Sequence, residues 1–277
     1  MSRLVIEAGK TELGYWADLW RFRELFLFLS WRDILVRYKQ TAIGILWAII
    51  RPLLTMLIFT FIFQKLANMP GDGLPYAVMV SAGQVPWQFF SSSMTEAGGS
   101  LITNGPMLSK IYFPRLIIPA SAVIVSFFDF LISLVILAGL MLWFGVVPDW
   151  RILLLPAFTV LGFFASFGPS LWLAALNVKF RDFRYVVPFI VQIGQYVSPV
   201  GYDADMIRHK YGAAAALLYS LNPMVGVING FRWAVGGTRH VAIDWTSVGI
   251  SAAVVLLIAT TGLAYFRKIE QTFADII

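Results

Sequence analysis

LIIPASAVIVSFFDFLISLVILAGLMLWF, residues 116–144, carries a single charged side chain, Asp129. A helix crosses a bilayer with about 20 consecutive, mostly apolar residues, so this stretch is long enough to span one. The rest of the chain agrees with it. Of 277 residues, 59% are hydrophobic and 13% charged, and mean hydropathy is +0.77, whereas soluble domains carry about 25% charge. A soluble fold of this size could not hide so much apolar surface. Lipid is therefore the solvent, and an all-α integral membrane protein is expected. The absence of cysteine excludes disulfide frameworks, thiolate metal sites and cysteine nucleophiles. His209 and His240 lie far apart without ligand spacing, so no metal site is expected. A net charge of +6 would suggest nucleic acid in a soluble protein; in a membrane protein it reports topology, and no nucleic-acid partner is expected.

Outward from residues 116–144, five further stretches meet the length of a span, at about 43–63, 76–102, 152–176, 185–200 and 250–266. The stretch 76–102 is unusually polar and 185–200 is marginal in length. Six transmembrane helices follow, forming a transmembrane domain over 43–266. Residues 1–42 form a cytoplasmic N-terminus, without the apolar region of a signal peptide, and 267–277 a cytoplasmic tail. Basic residues set the orientation. With the N-terminus inside, fourteen Lys and Arg lie on the cytoplasmic side and six outside, with Arg51 inside a span. Both termini are therefore expected inside. The outer six include Arg208 and Arg232.

Two segments do not read as spans. Over 19–38, Leu19, Phe22, Phe26, Leu29 and Leu35 recur near helical spacing with Arg and Asp between them. This pattern fits an amphipathic helix lying in the inner interface, its cations near lipid phosphates. The apolar region 203–237 is broken by Asn222-Pro223 and several glycines. Its halves are each about half a membrane long, which suggests a re-entrant external hairpin before the last span. The alternative is a seventh span, which would move Arg267 and Lys268 outside.

No strong enzyme motif is present. Gly9-Lys10-Thr11 resembles the tail of a phosphate-binding loop, but Leu4 stands where that loop needs glycine. The chain is expected to move something rather than convert it, so ATP-driven work would fall to a partner. Polar side chains at bilayer depth normally face protein or water. Ser81, Gln84, Gln88, Ser91 and Thr95 share one helical face, with Trp87 and Phe90 on the adjoining one. Tyr185, Phe189, Gln192 and Tyr196 form a similar face later in the chain. Amides and hydroxyls beside flat rings suit a sugar; hydrogen bonding between helices would use the same groups. Three charges lie within spans: Arg51, Glu96 and Asp129. Arg51 and Glu96 sit at similar depth, and Arg51 is the cation expected to partner the acids. A proton relay through the two acids is the alternative.

Several segments then resemble one family. WRDILVRYKQTAIGILWAIIRPLL (31–54) looks like an interface helix leading into a first span, and NGPMLSKIYFPRLIIP (104–119) like a coupling loop. NVKFRDFR (177–184), Gln192, SPVGY (198–202) and NPMVGVINGFR (222–232) follow in order. Together they resemble the transmembrane subunit of type-2 ABC exporters of bacterial surface polysaccharide, the O-antigen and teichoic acid export permeases. The resemblance covers about residues 30–235. It implies a homodimer in the bacterial inner membrane, bound to two ATP-binding-cassette ATPase subunits that hold ATP and Mg, and exporting a lipid-linked polysaccharide. The chain itself would hold no cofactor and catalyse nothing. On that resemblance Met107, Leu108, Lys110, Ile111, Tyr112, Phe113 and Arg115 would contact the ATPase, with Arg181 and Asp182. Tyr202, Met206 and Tyr219 would gate the outer side. A proton-coupled flippase, or a type-2 ABC permease for a lipid or drug, would share many of these features. Because the chain ends soon after Phe266, recognition of glycan chain ends is expected elsewhere.

Overall fold

The structure is a computed structural model that describes residues 14–39, 44, 46–69, 73–108, 110–180, 182–237 and 241–270. The regular structure among these residues is helical throughout. In chain order the helices are α1 (Tyr15–Arg21), α2 (Arg23–Lys39), α3 (Leu46–Phe59), α4 (Tyr76–Thr103), α5 (Gly105–Leu108) and α6 (Ile117–Trp143). Then follow α7 (Leu155–Lys179), α8 (Phe183–Val197), α9 (Asp205–Tyr219), α10 (Pro223–Val235) and α11 (Trp245–Glu270). A π-helical turn, Thr60–Leu66, prolongs α3, and a 3-10 turn, Trp150–Leu154, leads into α7.

Four of these rods are long and apolar enough to cross a membrane: Leu46–Leu66, Ile117–Trp143, Trp150–Lys179 and Trp245–Glu270. The pair α9 and α10 is bent by 113° at its break and would make a fifth if taken as one span. α4 has the length, 28 residues or about 42 Å, but not the hydropathy. α8 is 15 residues, about 22 Å, too short to cross a bilayer unaided.

The packing explains why α4 can be polar. Residues 76–87 of α4 are buried without a break, because α6, α7, α10 and α3 all pack on it. Lipid never reaches that part of the helix, so Ser81 and Gln84 are shielded by protein. Around it the core is aromatic: Phe89 lies within ring contact of Phe127, Phe130 and Phe163, and Phe130 meets Phe231 of α10 edge-on. Such pairs add roughly 0.5–1.5 kcal/mol beyond their area.

On the far side of this core, α7 and α11 approach closely through small residues. A Cβ on Gly168 would stand 2.7 Å from the Ala259 Cα, and one on Gly262 would stand 2.9 Å from the Trp172 ring. The Trp172 and Tyr265 rings stack at 4.1 Å beside this contact. Small residues permit such backbone approach in membranes, where the hydrophobic effect does not drive helices together.

Helix α2 packs where α4 ends and α6 begins. Leu29 of α2 is buried in a cluster with Phe113, Leu116, Ile117 and Phe266, and Ser30 bonds the Phe26 carbonyl at 2.9 Å. Trp20, Leu27, Phe28 and Trp31 are left exposed on the other side. This division is what an amphipathic helix at a lipid interface requires.

A Gly168→Val substitution should force α7 and α11 apart. An overpacking cost of about 1–3 kcal/mol is expected, read as earlier unfolding of the purified protein in detergent. Gly99→Ala, where a Cβ meets nothing within 4 Å, should leave unfolding almost unchanged.

Candidate transport path and coupling surface

The polar face of α4 divides by depth. At its outer half Gln84, 3% exposed, accepts a hydrogen bond from Gln195 of α8 at 3.1 Å. Trp87 is buried beside it and packs on Gly194 of α8, where a Cβ would lie 2.8 Å from the ring. Ser81 is buried as well. Gln84 and Trp87, expected to face cargo, join α4 to α8 in this conformation, while Ser81 lies against α3 and α6. Further in, the face opens. Gln88 bonds Ser92 at 3.2 Å and lines a cavity of about 380 Å³. Phe90 and Ser91 are half-buried, and Thr95 is exposed, its hydroxyl donating to the Ser91 carbonyl at 2.9 Å.

The companion face on α8 is open. Tyr185, Phe189 and Tyr196 are 77%, 63% and 60% exposed, and Gln192 is exposed among them. Val187 and Val191 face inward against Met94 and Leu173. Val186, Ile190, Ile193 and Val197 are exposed as well, so a helix that buries two valines leaves rings, aliphatic side chains and an amide to something other than this chain's own core.

The charged groups correct the expected pairing. Arg51 lines the cavity but has no carboxylate within ion-pair distance among the described residues. The partner of both acids is Arg37, from the interface helix. Its guanidinium forms ion pairs with Glu96 of α4 and Asp129 of α6, and the Tyr38 hydroxyl also donates to Asp129. Burial of Arg37 works against its charge; the two carboxylates outweigh that and raise its pKa above the ordinary arginine value. Sequence depth alone favoured Arg51 because α2 reads as a surface helix. Only the fold lays Arg37 against the inner halves of α4 and α6. One signal was available: a continuous RY pair, Arg37-Tyr38, at the end of an otherwise apolar stripe.

A second cation was missed. Arg232, counted among the outer loop charges, is 3% exposed within α10. It donates to the carbonyls of Met79 at 3.3 Å, Tyr202 at 2.7 Å and Val200 at 2.8 Å. It thus ties the hairpin to the outer end of α4 and to the turn after α8. Gly83 permits this approach: a Cβ there would lie 3.1 Å from the guanidinium and from the Val200 carbonyl.

The hairpin is also fixed to α11. Asn222 caps α10, accepting from the Met224 N–H at 3.0 Å, and its amide donates to Ser198 at 2.9 Å. Ser251 donates to the Ser220 carbonyl at 2.9 Å and accepts from the Gly226 N–H at 3.1 Å. At the outer rim Arg208 pairs with Asp244, which accepts from the Thr246 N–H at 3.0 Å. Of the expected gate residues, Tyr202 and Tyr219 meet hydroxyl to hydroxyl at 2.9 Å, while Met206 lies half-buried in the first turn of α9.

After α4 the chain turns through the short α5. Ile111 and Tyr112 are 58% and 56% exposed, and Lys110 is exposed beside them. Met107 and Leu108 are half-buried on the chain's own core. Phe113 and Arg115 face inward, contrary to expectation. Phe113 is 4% exposed, and the Arg115 N–H donates to Glu270 Oε1 at 2.7 Å, while the Tyr15 hydroxyl donates to Glu270 Oε2 at 2.9 Å. Packing the loop onto α2 and α11 requires these two anchors, so fewer side chains remain to meet a partner. Asp182 is exposed before α8, whereas Arg181 lies outside the described residues.

The sequence has known relatives. The family of ABC-2 type transporters matches residues 24–235. The chain belongs to it. The permease is similar to two proteins of Klebsiella pneumoniae named O-antigen export system permease protein RfbA. One is 30% identical over 273 residues, covering 97% of this chain and 98% of the relative; the other is 29% identical over 272 residues, with the same coverage. A protein of the same name from Myxococcus xanthus is 26% identical over 258 residues, covering 93% and 97%. The permease is a multi-pass membrane protein, and its family implies an ABC ATPase in the transporter.

Arg37→Leu should strand two carboxylates at bilayer depth. A loss of roughly 2 kcal/mol is expected, between the values for exposed and fully buried pairs, seen as a lower melting temperature of the detergent-solubilised permease. Arg51→Leu should cost much less. A larger loss for Arg51→Leu would return it to the role of ion-pair partner.

Proposed function

We propose that this permease exports a lipid-linked, O-antigen-like polysaccharide across the bacterial inner membrane. It acts as one half of a homodimer driven by two ATP-binding-cassette ATPase subunits. The observation that carries the reading is the match, over nearly the whole chain, to three relatives named as O-antigen export permeases. The exposed ring-and-amide face of α8 supports it, because sugars present both hydroxyls and flat C–H faces. In the dimer this face and the inner half of α4 would border a path between the two copies. α4 and α8 would then complete a six-span set, with both termini cytoplasmic. α8 can be short there because water and cargo, rather than lipid, would cover it.

ATP and Mg²⁺ would be held by the partner subunits. Their closure would press on Lys110, Ile111 and Tyr112, the exposed part of the coupling turn. Phe113 and Arg115 would pass the displacement inward, since they lock that turn to α2 and to the end of α11. α2 carries Arg37, so the same push would reach Glu96 and Asp129 and reposition α4 and α6. Tyr202 and Tyr219 would part to open the outer side. A proton-coupled flippase is the competing mechanism. It would need Glu96 and Asp129 free to exchange protons, and Arg37 holds both.

The test is affinity purification of the tagged permease from native membranes, followed by native mass spectrometry. A particle with two copies of this chain and two ATPase subunits is expected. A particle without ATPase that still moves glycolipid in proteoliposomes would overturn the proposal. Within the complex, replacing Ile111 and Tyr112 together by Ala should lower export while each subunit retains its fold. Gln88→Arg, which puts bulk and charge into the 380 Å³ cavity, should block export without separating the dimer. Normal glycan export by Gln88→Arg would remove that cavity from the path.

A further inference from the structure

A second crevice, of about 360 Å³, lies between the cytoplasmic ends of α4, α7 and α8. Its volume falls within the range of about 300–1,000 Å³ common to small-molecule sites. Asn177, 4% exposed, lines it near the inner end of α7. The Asn177 amide nitrogen donates to the Gly98 carbonyl at 2.8 Å, and Oδ1 has no hydrogen-bond partner among the described residues. An unmatched buried acceptor costs about 1–3 kcal/mol, so this wall calls for a donor. Thr95 and Thr103 add hydroxyls from α4. Between them Gly99 leaves the helix bare, with nothing within 4 Å of where a Cβ would stand. Phe183 supplies a ring from α8, and Arg184 is an exposed cation next to it.

The chemistry discriminates among ligands. An acyl chain would leave Asn177 unmatched. A free phosphate would meet an acceptor at the buried end, and Arg184, the one cation lining the crevice among the described residues, stands at the exposed end. A ring that bears hydroxyls on its edge and C–H bonds on its face satisfies both walls. We infer that this crevice is a cytoplasmic acceptance site for a single sugar ring of the cargo. One hydroxyl donates to Asn177 Oδ1, the C–H face lies on Phe183, and an acidic substituent or linkage reaches Arg184. This inference rests on the glycan-export reading and names a place of first contact that is separate from the charged cavity around Arg37.

Because the chain contains no cysteine, an introduced thiol is unique. Gly99→Cys, Thr103→Cys and, as a reference, Tyr112→Cys are each assembled into the complete complex. Labelling by a membrane-impermeant maleimide is followed in inside-out vesicles, from cells that make the glycan and from cells blocked in its synthesis. Labelling at positions 99 and 103 should slow several-fold when glycan is present, with no change at 112. Equal rates at 99 and 103 in the two membranes would overturn the site, as would equal slowing at all three positions. Gly99→Leu, which fills the crevice, should reduce export roughly tenfold with the complex intact, and normal export by it would also overturn the site. Surface glycan that persists in cells lacking this chain would overturn the export reading and the inference with it. Loss of surface glycan there, combined with equal labelling, would overturn the inference alone.

Discussion

A helix with amides, hydroxyls and a carboxylate can lie at bilayer depth only if other helices keep lipid from it, and that constraint organises this protein. α4 is the helix in question. Its N-terminal half is enclosed by α6, α7, α10 and α3, and Gln84 there meets Gln195 of α8. Its inner half is less enclosed, and both cavities open there. The phenylalanine cluster around Phe89 and the close approach of α7 to α11 are the means of building that enclosure. In lipid, shape and small residues hold helices together where water would have used hydrophobicity.

Two arginines secure what the packing leaves irregular. Arg232 answers for the outer end, where the chain after α8 turns through Ser198–Val200 and exposes carbonyls that no helix satisfies. In a membrane such carbonyls need an internal donor, and a guanidinium offers five. Arg37 answers for the opposite end by pairing with both Glu96 and Asp129. The first is a static clamp deep in protein. The second joins a surface helix to two core helices, and in the proposed transport cycle it would carry movement of α2 to α4 and α6.

The coupling turn shows the same division between anchoring and contact. Phe113 and Arg115 hold the turn to the body, while Lys110, Ile111 and Tyr112 stay outside. A loop that only connected two spans would not need both. Rigid attachment on one side and exposed apolar side chains on the other suit a part that receives force and passes it on.

Much of the fold was legible in the sequence because lipid imposes a simple rule: long apolar runs must be helices. Residues 116–144 and the run before the C-terminus declare themselves in this way, and so does the break at Asn222-Pro223. The ordered segments from 31 to 232 carry the family. What the sequence could not decide was which side chains meet. Arg51 and Arg37 are both cations at the ends of apolar stretches, and depth counted along a helix favoured the wrong one. Arg232 reads as a loop charge until α10 folds back by 113° and buries it. Ser81, Gln84 and Trp87 look like one cargo face, yet the tertiary structure sets Gln84 and Trp87 against α8 and Ser81 against α3 and α6. Periodicity assigns residues to a face of a helix, but only the packing of other helices decides whether that face meets lipid, water or protein.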